Sequence, residues 1–205
     1  MRVGVAGLGR IGALHVANLL ASGRLSELVV TDPDPVARQR VSTEHGVRSV
    51  ADADMLLTSG LDALVVASPT PFHAELIRSG VRAGIPTFCE KPLAGSLAES
   101  IAIAELEQAS DVPIQIGFQR RFDAGYMRAH AAVHSGELGT IHTLRASTLD
   151  SAPPPAAYIA GSGGLFRDCS IHDFDIIRYV SGSEVEVAYA VGSAEVVDYI
   201  AAADD

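Results

Sequence analysis

The stretch Arg2-Val3-Gly4-Val5-Ala6-Gly7-Leu8-Gly9-Arg10-Ile11-Gly12 decides how the rest of the chain is read. A short apolar run from Arg2 to Ala6 leads into glycines spaced G-x-G-x-x-G. Helical spacing follows from Ile11 to Ser22 and stops at Gly23. Each glycine serves a steric need, whether a tight turn, close approach of a pyrophosphate, or close packing of helix on strand. The helix N-terminus then offers backbone N–H groups to the anion, so Gly7, Gly9, Arg10, Ile11 and Gly12 are candidate cofactor contacts. The bare spacing is weak, and a glycine turn without a ligand is the alternative. Its place between a strand and a helix is what gives it weight. Twenty residues past Gly12, Asp32 closes a second strand, Leu28 to Thr31. A carboxylate there accepts from the adenosine ribose hydroxyls and repels a 2′-phosphate, which favours NAD over NADP. The next residues, Pro33, Asp34 and Pro35, bring no arginine.

Outward from this stretch, apolar strands and helices alternate. Strands are expected at Ala63 to Ala67, Pro86 to Cys89 and Ile114 to Gly117. Helices are expected from Pro71 to about Ala83 and, behind the capping box Ser96-Leu97-Ala98-Glu99, to about Ala109. Strands apolar throughout and separated by helices imply a doubly wound parallel sheet covered on both faces. The pattern then changes, with a boundary near Gly117 to Asp123. Residues 1–119 are read as one domain and 120–205 as a second. In the second, Asp123 to Ser135 and Ser170 to Val180 look helical. Thr140 to Thr148 and Glu184 to Val191 alternate as antiparallel strands do, and Val196 to Ile200 starts another. The proline- and glycine-rich run from Ser151 to Gly164 reads as a loop.

Composition narrows the class. The 205 residues are 48% hydrophobic and 20% charged, enough apolar material for a core. No apolar run approaches the roughly 20 residues of a membrane span. A net charge of −10 argues against nucleic-acid binding. Two cysteines, Cys89 and Cys169, make no disulfide framework and fit a reducing compartment. With no leader before Arg2, a soluble cytoplasmic protein is expected.

Only one of the 15 basic residues is a lysine, Lys91, in Cys89-Glu90-Lys91-Pro92. An ammonium is a compact charge with a tunable pKa, which arginine cannot replace. The residue follows a strand, and ligands of doubly wound sheets bind beyond strand carboxyl ends; the plain alternative is a surface lysine. By the same placement, Ser68, Thr70, Glu90 and Lys91 are candidate cofactor contacts. His73 is either such a contact or a packing histidine. A third cluster runs from Gly163 to Asp175. There Asp168, His172 and Asp175 recur at i, i+4 and i+7, on one helical face. A histidine beside a carboxylate has the makings of a general base. A metal site, or an N-capping Asp168 beside a satisfied His172, is the alternative.

Together, Gly7 to Gly12, Glu90-Lys91-Pro92, Asp168-x-x-x-His172 and the segment Gly117-Phe118-Gln119-Arg120-Arg121-Phe122-Asp123 resemble the glucose–fructose oxidoreductase/inositol dehydrogenase (Gfo/Idh/MocA) family. The run from Gly163 to Asp175 is most similar to inositol dehydrogenases. The resemblance implies a Rossmann domain, then an α+β domain on an open antiparallel sheet that is incomplete here, because members run considerably longer. It implies NAD, a small polyol or sugar substrate, and homodimers or homotetramers formed through the open sheet. By matching position, Lys91 would polarise the reacting oxygen and Asp168 would orient His172. His172 would take the hydroxyl proton as hydride leaves for nicotinamide, with no metal. Two other readings stay within the resemblance. An NAD-dependent glycoside hydrolase would cleave aryl glycosides without net NADH. A non-catalytic NAD-binding module would bind NAD without turnover.

Overall fold

A computed structural model describes residues 1–193 and residue 200. The chain divides into two units, Met1–Gly117 and Phe118–Asp205. In the first unit six strands form one parallel sheet: β1 (Arg2–Ala6), β2 (Glu27–Thr31), β3 (Arg48–Ser49), β4 (Ala63–Val66), β5 (Thr87–Cys89) and β6 (Ile114–Ile116). Their order is β3-β2-β1-β4-β5-β6. The helices between them are α1 (Arg10–Ala21), α2 (Pro35–His45), α3 (Ala53–Leu57), α4 (His73–Arg82) and α5 (Leu97–Gln108).

Side chains alternate across a strand, and the core divides accordingly. Val3, Val5, Leu28, Val30 and Val65 pack with Val16 and Val41. Val29, Leu64 and Val66 pack with Leu56, Ile77 and Ile103. Both faces are covered by helices, so both sets of positions must be apolar and the strands read as unbroken apolar runs. Ser96 caps α5 through the Glu99 N–H (3.2 Å), as the capping box predicts.

The elements that sequence reading passes over are α2, β3 and α3. Only Val41 of α2 is buried, so the helix has almost no apolar stripe to betray it. Its signals are punctuation instead: Asp34 accepts from Val36 N (2.9 Å), Pro35 stands in the first turn, and Gly46 ends it at φ +65°.

The second unit holds α6 (Ala124–His134), α7 (Ala156–Ser162), a π-helical turn (Phe166–Ser170) and α8 (Ile171–Ser181). Asp123 caps α6 through Gly125 N and Tyr126 N. Two expectations are corrected here. The segment 156–162 is helix, not loop: Pro155 is extended and precedes it, and Gly163 closes it at φ +80°. The expected loop signals are thus the helix's own punctuation. The open antiparallel sheet does not form among the described residues, because 140–148 and 184–191 carry no ladder. Alternation assigns two faces to a segment, but a strand also needs a neighbour to exchange N–H···O=C bonds with. Val185, Val187 and Tyr189 are accordingly 62%, 86% and 90% exposed. Of the strand expected from 196 to 200, all but Ile200 lies outside the described residues. No helix among the described residues is long and apolar enough to cross a membrane.

Candidate functional site

Strand order reverses between β1 and β4, so the chain leaves these neighbours toward opposite faces of the sheet. A crevice at their carboxyl ends follows from that reversal. The three glycines of the first loop meet different surroundings there. A Cβ on Gly7, whose φ is +98°, would lie 2.5 Å from Ser68 N and 2.6 Å from the Ala67 carbonyl. One on Gly12 would lie 1.9 Å from Gly7 O, so the helix presses on the turn that starts it. Around Gly9, at the N-cap of α1, nothing lies within 4 Å. The loop is closed against protein at its two ends and open at its centre. Arg10 is exposed and Ile11 half-buried in the first turn of α1.

Asp32 fastens this loop. Its Oδ2 accepts from Leu8 N (2.7 Å) and its Oδ1 from Asp34 N (2.8 Å). A carboxylate has about four lone-pair positions, so two are left for other donors. Two arginines that sequence reading passes over reinforce the region. Arg40 Nη2 donates to Leu8 O (3.0 Å), and Arg38 Nη1 donates to the Asp32 and Pro33 carbonyls. The signal for them is the cap at Asp34-Pro35: once a helix starts there, positions 38 and 40 lie within its first two turns.

The loop after β4 carries Ser68 and Thr70, and Thr70 opens a 3₁₀ turn, Thr70–Phe72. Ser68 Oγ is buried with no hydrogen-bond partner among the described residues. His73, the first residue of α4, is 1% exposed, and both its ring nitrogens face backbone carbonyls. The packing alternative for this histidine therefore describes its surroundings better than a cofactor contact does.

The loop after β5 carries Glu90 and Lys91, both half-buried. The Lys91–Pro92 peptide bond is cis. Glu90 Oε1 lies 2.6 Å from Nε2 of His15, on the buried side of α1, and the His15 ring meets Phe88 edge-on at 5.4 Å. Burial pushes the Glu90 carboxyl up. The His15 hydrogen bond and charge, the Lys91 N–H and the Lys91 charge outweigh it, leaving the carboxyl below its ordinary 4.5. A carboxylate lowered by folding stabilises the protein above its unfolded pKa, and that contribution fades as pH falls through the folded value. Glu90→Gln should therefore lower Tm at pH 6, with the gap to the parent closing below about pH 4.5. A gap that stays constant down to pH 3 would mean Glu90 contributes no charge-dependent stability. Sequence reading also misses His15. Its signal is a titratable residue four positions after Ile11, on the inward side of the glycine-loop helix. Burial, then the neighbouring Glu90 charge, holds the Cys89 thiol far above its usual range, so it is no nucleophile at neutral pH.

In the second unit Asp168 lies in the π-helical turn and His172 in the first turn of α8, both half-buried. Four-residue spacing along continuous helical chain sets them on adjacent turns of one side. Asp168 Oδ2 also accepts from Tyr158 Oη (2.8 Å). Asp175, grouped with these two by spacing, is committed elsewhere. It is 6% exposed, and its two oxygens accept from Arg121 Nε and Nη2 at 2.5–3.1 Å. Arg120 similarly donates to Asp173 (2.5 Å) and to Thr148 Oγ1 (3.0 Å). The segment Gln119–Phe122 thus pins α8 on either side of Phe174. Among the described residues no group of three or more His, Cys, Asp or Glu side chains is placed to hold a metal ion.

Residues 1–118 match a family model described as the NAD-binding Rossmann fold of an oxidoreductase family, and residues 126–205 match the GFO/IDH/MocA C-terminal domain. The chain is 39% identical to the myo-inositol 2-dehydrogenase of Thermotoga maritima over all of its own length and 62% of the relative's. It is 39% identical to the scyllo-inositol 2-dehydrogenase (NAD(+)) of Bacillus subtilis, over 90% of this chain and 55% of the relative. Among solved structures, a probable dehydrogenase from Thermotoga maritima superposes with a TM-score of 0.95 at 39% identity, over 100% of this chain and 62% of that one. The scyllo-inositol dehydrogenase from Lactobacillus casei, solved with NAD(H) and scyllo-inositol, superposes with a TM-score of 0.87 at 31% identity, over 99% and 62%. The chain therefore spans about 55–62% of the length of these relatives.

Proposed function

The chain belongs to the Gfo/Idh/MocA oxidoreductase family, residues 1–118 being its NAD-binding Rossmann domain, and from that membership we propose an NAD-dependent dehydrogenase acting on a secondary hydroxyl of an inositol-like polyol or a sugar. The single observation that carries the cofactor half is the glycine loop, shut at Gly7 and Gly12 and open at Gly9. The two free acceptor positions on Asp32 and the orphaned Ser68 Oγ beyond β4 fit the same group. When bound, NAD supplies the acceptor for the hydrogen leaving the alcohol carbon. The N-terminus of α1 with Gly9, Arg10 and Ile11 holds the pyrophosphate, Asp32 the adenosine ribose, and Ser68 and Thr70 line the crevice. Lys91 polarises the reacting oxygen, Asp168 orients His172, and His172 takes the hydroxyl proton.

The test is a panel of inositols and sugars followed by NADH absorbance. Binding of NAD without turnover of any of them would leave only a binding module. The cofactor preference has its own check. Asp32→Ala should weaken NAD about tenfold or more, on the scale of lost charge-assisted hydrogen bonds. NADP should change less, so the gap between the two narrows in a fluorescence titration. Equal affinity of the parent for both would sink the role of Asp32. The proposal includes self-association through 184–191, where Val185, Val187 and Tyr189 stand exposed. Light scattering over a concentration series is the check, and a monodisperse monomer counts against it.

A further inference from the structure

His73 is almost fully buried at the head of α4 and has no part in the chemistry above. Its Nδ1 lies 2.7 Å from Pro92 O, and its Nε2 lies 2.8 Å from Ser68 O. These carbonyls belong to different loops, one following β5 and the other β4. Both are acceptors only, so a ring nitrogen that carries hydrogen donates to the carbonyl it faces, and the ring sits between the two loops with one nitrogen turned to each. Sequence spacing offers His73 as a cofactor contact, but a ring with both nitrogens turned to protein carbonyls has no polar atom left for a ligand.

We propose that His73 is a positioning residue: its imidazole ties the loop after β4 to the loop after β5 and so sets where Lys91 stands. Two facts favour a tether over simple packing. A space-filling role asks only for an apolar ring, yet both nitrogens have partners. And the Pro92 carbonyl it holds is the one that immediately follows Lys91. A tie at that point limits how far the ammonium can drift, and a drift of about 1 Å at a reacting group costs on the order of a hundredfold in rate. The effect on turnover rests on the role proposed for Lys91; the tether itself does not.

Two substitutions separate the halves of the tie. The amide nitrogen of asparagine falls near the place of Nδ1, and that of glutamine near Nε2. His73→Asn therefore keeps the bond to Pro92 O, and His73→Gln keeps the bond to Ser68 O. Amide hydrogen exchange on the full chain reads the loops without any assay of activity. In His73→Gln the amides of Leu93, Ala94 and Gly95 should exchange at least about fivefold faster, with Thr70 and Phe72 unchanged. In His73→Asn the pattern should reverse. In turnover, His73→Gln should lose about tenfold in kcat with NAD affinity within about twofold of the parent, and His73→Asn should recover most of that loss. Unchanged exchange in both variants overturns the proposal, as does an equal loss of NAD affinity in both, which would make His73 a direct contact. If the parent turns over no polyol, the function assigned to Lys91 falls, while the exchange result still decides the tether. Should His73→Gln not fold, the parent's ring N–H signals decide. Protons protected from water support the tie, and freely exchanging ones overturn it.

Discussion

Replacing Lys91 with methionine, or His172 with alanine, is expected to cut turnover at least a hundredfold while NAD still binds with near-parental affinity. Methionine keeps the length and apolar stem of lysine but removes the ammonium, so it isolates the charge. Alanine removes the imidazole that stands one helical turn from Asp168. General acid–base help contributes roughly 10²–10⁴ in rate, or at least about 2.7 kcal/mol of barrier. If both side chains act on the reacting oxygen, the losses belong to kcat, because neither change touches the glycine loop or Asp32. Stopped-flow or steady-state NADH absorbance gives kcat, and NADH fluorescence gives affinity. Turnover of His172→Ala within about threefold of the parent would assign the base to another group. A tenfold or greater loss of NAD affinity in Lys91→Met would instead make the lysine a cofactor contact.

The second large effect is a split between two neighbouring glycines. Gly12→Ala should destabilise the protein severely. Its Cβ would sit 1.9 Å from a backbone oxygen and 2.8 Å from a backbone carbon of Gly7, neither of which is the end of a flexible side chain. Overpacking against backbone reaches the upper end of the roughly 1–3 kcal/mol scale or beyond, a fall in Tm of about 6–12 °C for a chain of this size. Gly9→Ala should leave Tm within about 1 °C of the parent. Its φ of −64° suits any residue, and nothing lies within 4 Å of the added methyl. Yet NAD affinity should fall at least about tenfold, because the methyl fills the space where the pyrophosphate must approach the backbone. A Gly9→Ala protein that binds NAD as the parent does would show that the open side of the loop is not the cofactor's side. Equal loss of Tm in both variants would show that the open space closes in solution.

These two experiments mark the line between what the residues disclose alone and what they disclose together. The parallel sheet was legible because a strand buried on both faces must be apolar at every position, so Val3 to Ala6 and Ala63 to Val66 announce themselves. The turn from Gly7 to Gly12 and the acid at Asp32 were legible as local structure, because strand, turn, helix start and acid follow one another along the chain. Lys91 stood out by scarcity, and the Asp168–His172 pair by helical spacing. α2 escaped because its face is polar, and α7 because prolines and a glycine that bound a helix also spell a loop. The strands expected at 140–148 and 184–191 failed because alternation is a property of one segment and pairing a property of two. Only the folded chain could turn His15 toward Glu90, bring Arg40 to the Leu8 carbonyl, give Asp175 to Arg121 and close His73 onto Ser68 and Pro92. Apart from Ser68, five residues before His73, each of those partners lies from 19 to 75 residues away in sequence. No periodicity reaches across such distances, and the order of the strands in the sheet, which sets who meets whom, is decided by packing.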